Sequence, residues 1–208
     1  MDSDDSDLDI DVDDEEIIRL QHRRAPTTSL PPKTVLKKID VRDVVYKGSS
    51  CKDVVDRYKK GGMEINAFLR GAQGGAPHYS EMIFQLDKCF KRVSELFPRG
   101  GGNYIKTWRS MSNAFDPDLT AGYTSTSNQF VGMSARYLYT IYIPCDAHVI
   151  VIDISQETGK PGTFEVVLER NVRLIDLGGN TFVVNTPFAR DHLTQFQEID
   201  NLNGKNIV

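Results

Sequence analysis

Cysteine is scarce in this chain of 208 residues: three are present, Cys51, Cys89 and Cys145. An odd number without the close spacing of metal ligands, in apolar surroundings such as Gln85-Leu-Asp-Lys-Cys-Phe90, argues against a thiolate metal centre. The three read as buried free thiols, which points to a reducing compartment. The four histidines, His22, His78, His148 and His192, are scattered and form no ligand cluster, so they read as surface or structural residues. Long apolar runs are missing, and no segment approaches the length needed to cross a membrane. The start of the chain lacks the basic, apolar and small-residue layout of a cleaved signal. No stripe of Lys and Arg interleaved with aromatics marks a nucleic-acid face. The expectation is a soluble protein working in a cytosol, with neither nucleic acid nor membrane as partner. If the protein is exported, a dedicated injection machine has to carry it.

Acidic charge is abundant but confined. Residues 1–16 hold eight Asp and two Glu with no Lys or Arg. The whole chain carries a formal −4, so taking away these ten carboxylates leaves a body of +6. Such a head is too charged and too poor in aromatics to bury a core, and it reads as a disordered solubilising tail, with a docking or secretion segment as the alternative. Three prolines then stiffen the linker Ala25-Pro-Thr-Thr-Ser-Leu-Pro-Pro32. The expected division is an acidic head and linker over 1–32 and one folded domain over 33–208, since the length suits a single core.

Apolar residues recur at helical spacing from 51 to 97, and Gly61-Gly62 and the glycine-rich stretch 71–77 divide them into three expected helices. Beyond Pro98-Arg-Gly-Gly-Gly102 the pattern changes to short runs rich in aromatic and β-branched residues. These predict strands at 104–108, 122–127, 138–143, 148–154, 164–168, 172–177 and 181–184. Helices followed by strands within one domain are an α+β arrangement.

Three of the strands carry polar chemistry. Tyr104-Ile-Lys-Thr-Trp-Arg-Ser110 ends in an arginine, Gly122-Tyr-Thr-Ser-Thr-Ser127 lines up small hydroxyls, and Glu165-Val-Val-Leu168 follows the break Lys160-Pro-Gly-Thr-Phe164 with one carboxylate. Together they resemble the Arg/Ser/Glu signature of mono-ADP-ribosyltransferases of the cholera-toxin-like, exoenzyme-toxin class. The likeness runs from about residue 58 to 177. Gly62-Met-Glu-Ile-Asn-Ala-Phe-Leu-Arg-Gly71 resembles that family's short helix ending in Leu-Arg-Gly, Leu86-Asp-Lys the start of its next helix, and Tyr139-Thr-Ile-Tyr-Ile-Pro144 a later strand. The resemblance implies a helical lobe beside a split, mostly antiparallel β core around an NAD cleft, with NAD as co-substrate and no metal.

Carried residue by residue, the resemblance implies that Glu165 bonds the ribose and stabilises its developing positive charge. Ser125 would orient Glu165, with Thr126 and Ser127 supporting the strand, and Arg109 would hold phosphate and ribose. Lys47 and Arg70 also compete for the arginine's role; Lys47 lacks the planar fork for bidentate contact and Arg70 lies on a helix, so Arg109 fits the family order. Ser110 would hold the nicotinamide amide through its main chain, Phe130 or alternatively Tyr137 would stack on the ring, and Asn66 would approach the adenine side.

Arginine-modifying members of the family place a second Glu two residues before the catalytic one, and the Rho-targeting exoenzymes place Gln there; this chain has Thr163. A threonine hydroxyl is no base for a guanidinium. The expected activity is therefore transfer to a neutral side chain, Thr, Ser or Asn, by a bacterial effector or toxin. Thr163 and Phe164 would face the host acceptor protein, for which a small GTPase or ubiquitin is the speculative identity. An NAD glycohydrolase, or an inactive module of the same fold that only binds a partner, are the alternatives.

Overall fold

The computed structural model describes residues 34–44, 51–71, 78–93, 102–111, 114, 121–129 and 136–204; the acidic head, the linker, Lys47 and Phe130 lie outside these. Thr34 closes one unit, Met1–Thr34, and the other described residues belong to a second, Val35–Val208. In the second unit a two-residue strand β1 (Lys37–Lys38) and a 3-10 turn at Val41–Val44 precede the helices α1 (Lys52–Leu69) and α2 (His78–Val93). Then come β2 (Asn103–Met111), β3 (Thr124–Ser127), β4 (Tyr137–Pro144), β5 (Val149–Asp153), the short α3 (Ser155–Thr158), β6 (Phe164–Leu168), β7 (Leu174–Gly178) and β8 (Thr181–Val184). Two further helices close it, α4 (Pro187–Asp191) and α5 (Leu193–Gly204).

The strands form one sheet in the order β5-β6-β3-β2-β4-β8-β7, with β1 beside β2. Pairing is antiparallel except for β1 with β2 and β4 with β8. This is the expected α+β class with a mostly antiparallel sheet. The long strand β2 is where the sheet divides. One edge pairs with β4 from Tyr104 to Met111; the other holds β1 at Asn103 and Tyr104 and meets β3 only at Trp108 opposite Ser127. The half-sheet β5-β6-β3 therefore folds back over the half β2-β4-β8-β7.

Strand alternation assigns the faces. Val149, Val151, Phe164, Val166 and Leu168 pack with Ile105, Ile141 and Ile143 between the two halves. Their neighbours Ile150, Ile152 and Val167 turn the other way and bury Tyr58, Ile65, Leu86 and Phe90 of the two helices. On the far side Tyr104, Tyr142 and Val183 cover Ala189 and Phe196 of the C-terminal helices.

Two expectations change, and helices appear where none was expected. Gly61 is non-helical (φ −126°, ψ 15°) yet only kinks α1, because the buried stripe Val54, Tyr58 and Ile65 continues across it; tertiary packing outweighs the glycine's low helix propensity. The chain after Val184 is helical where the strand pattern ended without a further element. Thr186 caps α4 by accepting a hydrogen bond from Ala189 N, with Pro187 in the first turn, a start signal readable as Thr-Pro. Finally, Cys51 and Cys89 are not free thiols: they form a disulfide joining the start of α1 to α2, and only Cys145 is a buried free thiol. A separation of 38 residues carries no motif; packing of the two helices brings the Cα atoms to 5.9 Å, within bridging range.

Candidate active site

Register places the polar groups of β3 and β6. Ser127 stands opposite Glu165 and Ser125 opposite Val167, so Ser125, Ser127 and Glu165 share the face turned toward the helices. Thr124 and Thr126 face the core instead, and the Thr126 hydroxyl donates to Val166 O at 2.9 Å. Glu165 is thus directly across from Ser127 and diagonal to Ser125. On β2 the same alternation sends Ile105 and Thr107 inward, Thr107 donating to Ile141 O. Arg109 is the next residue on that face, at the end where β3 diverges, and its Nη1 donates to Ser125 O at 2.5 Å. Adjacent strands β2, β3 and β6 therefore bring Arg109, Ser125 and Glu165 together.

They line a cleft of about 770 Å³ between the sheet and α1, with Tyr58, Asn66 and Arg70 on the helical wall. A second, smaller cavity of about 300 Å³ shares Arg109, Ser125 and Glu165 and continues past Trp108, Ser110, Thr126, Ser127 and Gln129. Burial, and next to it the charge of Arg70, makes the Arg109 guanidinium less basic than usual, while Tyr58 and Glu165 act in the opposite direction. Glu165 is half-buried. The Tyr58 phenol is nearly sealed from solvent, and burial raises its pKa although the Asn66 and Ser125 side chains beside it work to lower it.

The helical wall is bolted to the serine strand. Asn66 Oδ1 accepts from Tyr123 N at 2.8 Å and its Nδ2 donates to Tyr58 OH at 3.2 Å. A Cβ at Gly122 would lie 2.7 Å from Asn66 Oδ1, so any side chain there would force Asn66 out of its bond to Tyr123 N. The Tyr123 ring stacks on Phe90, and its hydroxyl donates to Asp87, which also receives Arg170. Buried aromatics with a satisfied polar end hold α1, α2, β3 and the turn after β6 in one arrangement.

The turn before Glu165 is equally braced. Asn128 Nδ2 and Gln129 Nε2 each donate to Gly162 O at 3.0 Å, and Phe164 N donates to Asn128 Oδ1 at 2.7 Å. Gly159 and Gly162 take positive φ angles of 65° and 73°, which favour glycine. Thr163 and Phe164, expected to face an acceptor, do not: they are 0% and 7% exposed. The Thr163 hydroxyl donates to Lys160 O at 2.8 Å, and Phe164 fills the core between the half-sheets. Alternation explains Phe164, which is turned to the inner face opposite Glu165; Thr163 lies in the turn before β6 and is enclosed by its bonds to Lys160, Ser155 and Ile154.

Of the remaining expected residues, Ser110 lines the smaller cavity, and Asn66 lines the larger one while bracing β3. Tyr137 stacks on Tyr139 and is absent from the lining of either cleft; Phe130 lies outside the described residues. Tyr58, Lys59 and Lys60 line the cleft without having been singled out. The apolar spacing marks a helix there, but not which of its faces meets the strands. Among the described residues no group of three or more His, Cys, Asp or Glu could hold a metal, and no helix is long and apolar enough to cross a membrane.

No protein-family model and no curated protein matches the chain. Solved structures similar to it include the C3larvin ADP-ribosyltransferase toxin of Paenibacillus larvae, at TM-score 0.45 and 18% identity over 67% of this chain and 97% of that one. The C3 exoenzyme of Clostridium limosum gives 0.48 and 16% over 73% and 98%. C3stau2 of S. aureus, solved with NAD, gives 0.44 and 16% over 73% and 99%. None of these three reaches a TM-score of 0.5, and the functional reading rests on the cleft residues themselves.

Proposed function

We propose that the chain is an NAD-dependent protein mono-ADP-ribosyltransferase. The observation that carries this reading is the meeting of Arg109, Ser125 and Glu165 in one cleft from three adjacent strands. The lining fits an anionic dinucleotide, because Lys59, Lys60, Arg70 and Arg109 supply four cations in a cleft of about 770 Å³, a size ordinary for small-molecule sites. NAD supplies a glycosidic bond to a cationic nicotinamide, which leaves neutral when that bond breaks. Glu165 offers a carboxylate to the positive charge that develops on the ribose, as in glycoside hydrolysis. Arg109, fixed by Ser125 O, turns its remaining N–H groups to phosphate. Ser125, diagonal to Glu165 and lining the same cleft, orients that carboxylate in this reading, with Ser127 across the ladder supporting the strand.

The acceptor in this reading is a neutral Thr, Ser or Asn side chain of a host protein, and the chain is a toxin or effector; a small GTPase or ubiquitin remains the speculative target. The ribose carbon bonds to the acceptor oxygen or nitrogen, and the displaced proton passes to Glu165. Position 163 supplies no second carboxylate toward an arginine, and its hydroxyl is already committed to Lys160 O. Contact with the acceptor falls instead to the exposed rim at Gln156, Lys160 and Pro161.

Incubation with NAD labelled in the adenylate, scored separately for protein-bound label and free nicotinamide, tests the reading. The expected result is both products from the wild-type chain in a host lysate. Glu165→Gln is expected to lower both by about a hundredfold or more, because it removes an interaction made mainly in the transition state, with folding and NAD affinity retained. Nicotinamide release without protein label would identify a glycohydrolase, and neither product would identify an inactive binding module. Near-normal turnover by the variant would sink the assignment of Glu165.

A further inference from the structure

Lys59 and Glu157 face each other across the mouth of the cleft, one on α1 and one on α3, with Nζ 2.5 Å from Oε1. Both line the cavity that holds Arg109 and Glu165. Lys59 is the more enclosed partner, its side chain 26% exposed against 53% for Glu157. Asp153 at the end of β5 also feels the Lys59 charge, which depresses its carboxyl after the stronger effect of Ser155. The Lys59 cation is thus paired with Glu157, and close enough to Asp153 to act on it, at the rim of a cleft that Arg70 and Arg109 also line. An exposed ion pair contributes little net stability, so exchanging one partner costs little. A diphosphate offers more charge and more acceptor oxygens than a single carboxylate.

We propose that the Lys59–Glu157 pair is a substrate-released latch: it spans the cleft in the free chain, and Lys59 moves to the diphosphate when a dinucleotide enters, leaving Glu157 to solvent. The α3 end of the latch is tied to the turn that presents Glu165, through Thr163 N donating to Ser155 Oγ and Ile154 N donating to Thr163 O. The pair thereby sets the spacing between α1 and that turn until the ligand arrives. This inference rests on the dinucleotide-binding reading of the cleft.

Calorimetric dissociation constants test it with NAD, ADP-ribose and nicotinamide riboside, the last lacking a diphosphate. Lys59→Gln is expected to weaken NAD and ADP-ribose by roughly tenfold, the loss of one charge-assisted contact. Glu157→Gln is expected to tighten both about threefold by removing the competitor. The double variant should match Lys59→Gln alone, because without Lys59 there is nothing for Glu157 to compete over. Nicotinamide riboside should be indifferent to all three. Melting curves exclude misfolding as the cause. Weakened binding by Glu157→Gln, unchanged binding by Lys59→Gln, or additive effects in the double variant would each overturn the latch while leaving the cleft reading intact. Failure of the wild-type chain to bind either NAD or ADP-ribose would overturn both.

Discussion

Tyr58 joins the helical wall to the strands that carry Arg109, Ser125 and Glu165. Its ring is buried beside Ser125 and Asn66, packs edge-on against Tyr123, and its pKa is raised chiefly by burial. A phenol whose folded pKa lies above its unfolded value keeps its proton in the native state longer than in the unfolded chain. Stability is then fully present below the ordinary value of 10.0 and is lost as pH rises past it toward the folded value. Tyr123, raised by burial and by Asp87, contributes in the same direction. Tyr58→Phe is expected to cost about 1 kcal/mol at neutral pH through loss of the Asn66 hydrogen bond. It should also flatten the decline above pH 10.0. Denaturant melts of both proteins at neutral and alkaline pH measure this, and an equally steep alkaline decline in the variant would contradict it.

Among the elements, α1 contributes most to the cleft wall, and the Cys51–Cys89 bridge ties its first turn to α2. A loop closed over 38 residues restricts the unfolded chain, which by the entropic model is worth about 3–4 kcal/mol. Reduction, or Cys51→Ser with Cys89→Ser, is expected to lower the melting temperature by that stabilisation. Native mass and free-thiol titration before and after reduction report the bond itself. One reactive thiol in the unfolded, unreduced chain is expected; three would show that the pair is not oxidised. The bridge also removes two of the three free thiols from which a reducing compartment was expected.

At the level of the whole molecule, the two ends of the chain have opposite expected roles. Residues 1–32 contribute charge and few apolar groups, so their deletion is expected to leave the melting temperature of the remainder unchanged. The C-terminal helices bury Ala189 and Phe196 completely against Tyr104, Tyr142 and Val183. Losing even one buried Phe side chain costs on the order of 3–5 kcal/mol. Deletion from Pro187 onward is therefore expected to abolish cooperative unfolding by circular dichroism, and a retained sharp transition would show that the third core cluster is dispensable.

Local pattern by itself determined the class of the fold and most of its strands. Alternating β-branched and aromatic residues announce β6 and β8 at the residues they occupy, and β2, β4 and β5 to within a few, because period-two burial is written in adjacent positions. The arginine, hydroxyl and carboxylate strands were legible for the same reason. Which hydroxyl stands opposite Glu165 was decided by the β3–β6 register, Phe164 went inside by alternation about Glu165, and Thr163 was enclosed by the turn bonded to Ser155 and Ile154. The kinked continuity of α1, the Cys51–Cys89 pairing and the Lys59–Glu157 contact across 98 positions were likewise settled only in three dimensions. Each depends on which surfaces of distant segments are pressed together, and sequence spacing carries no record of that.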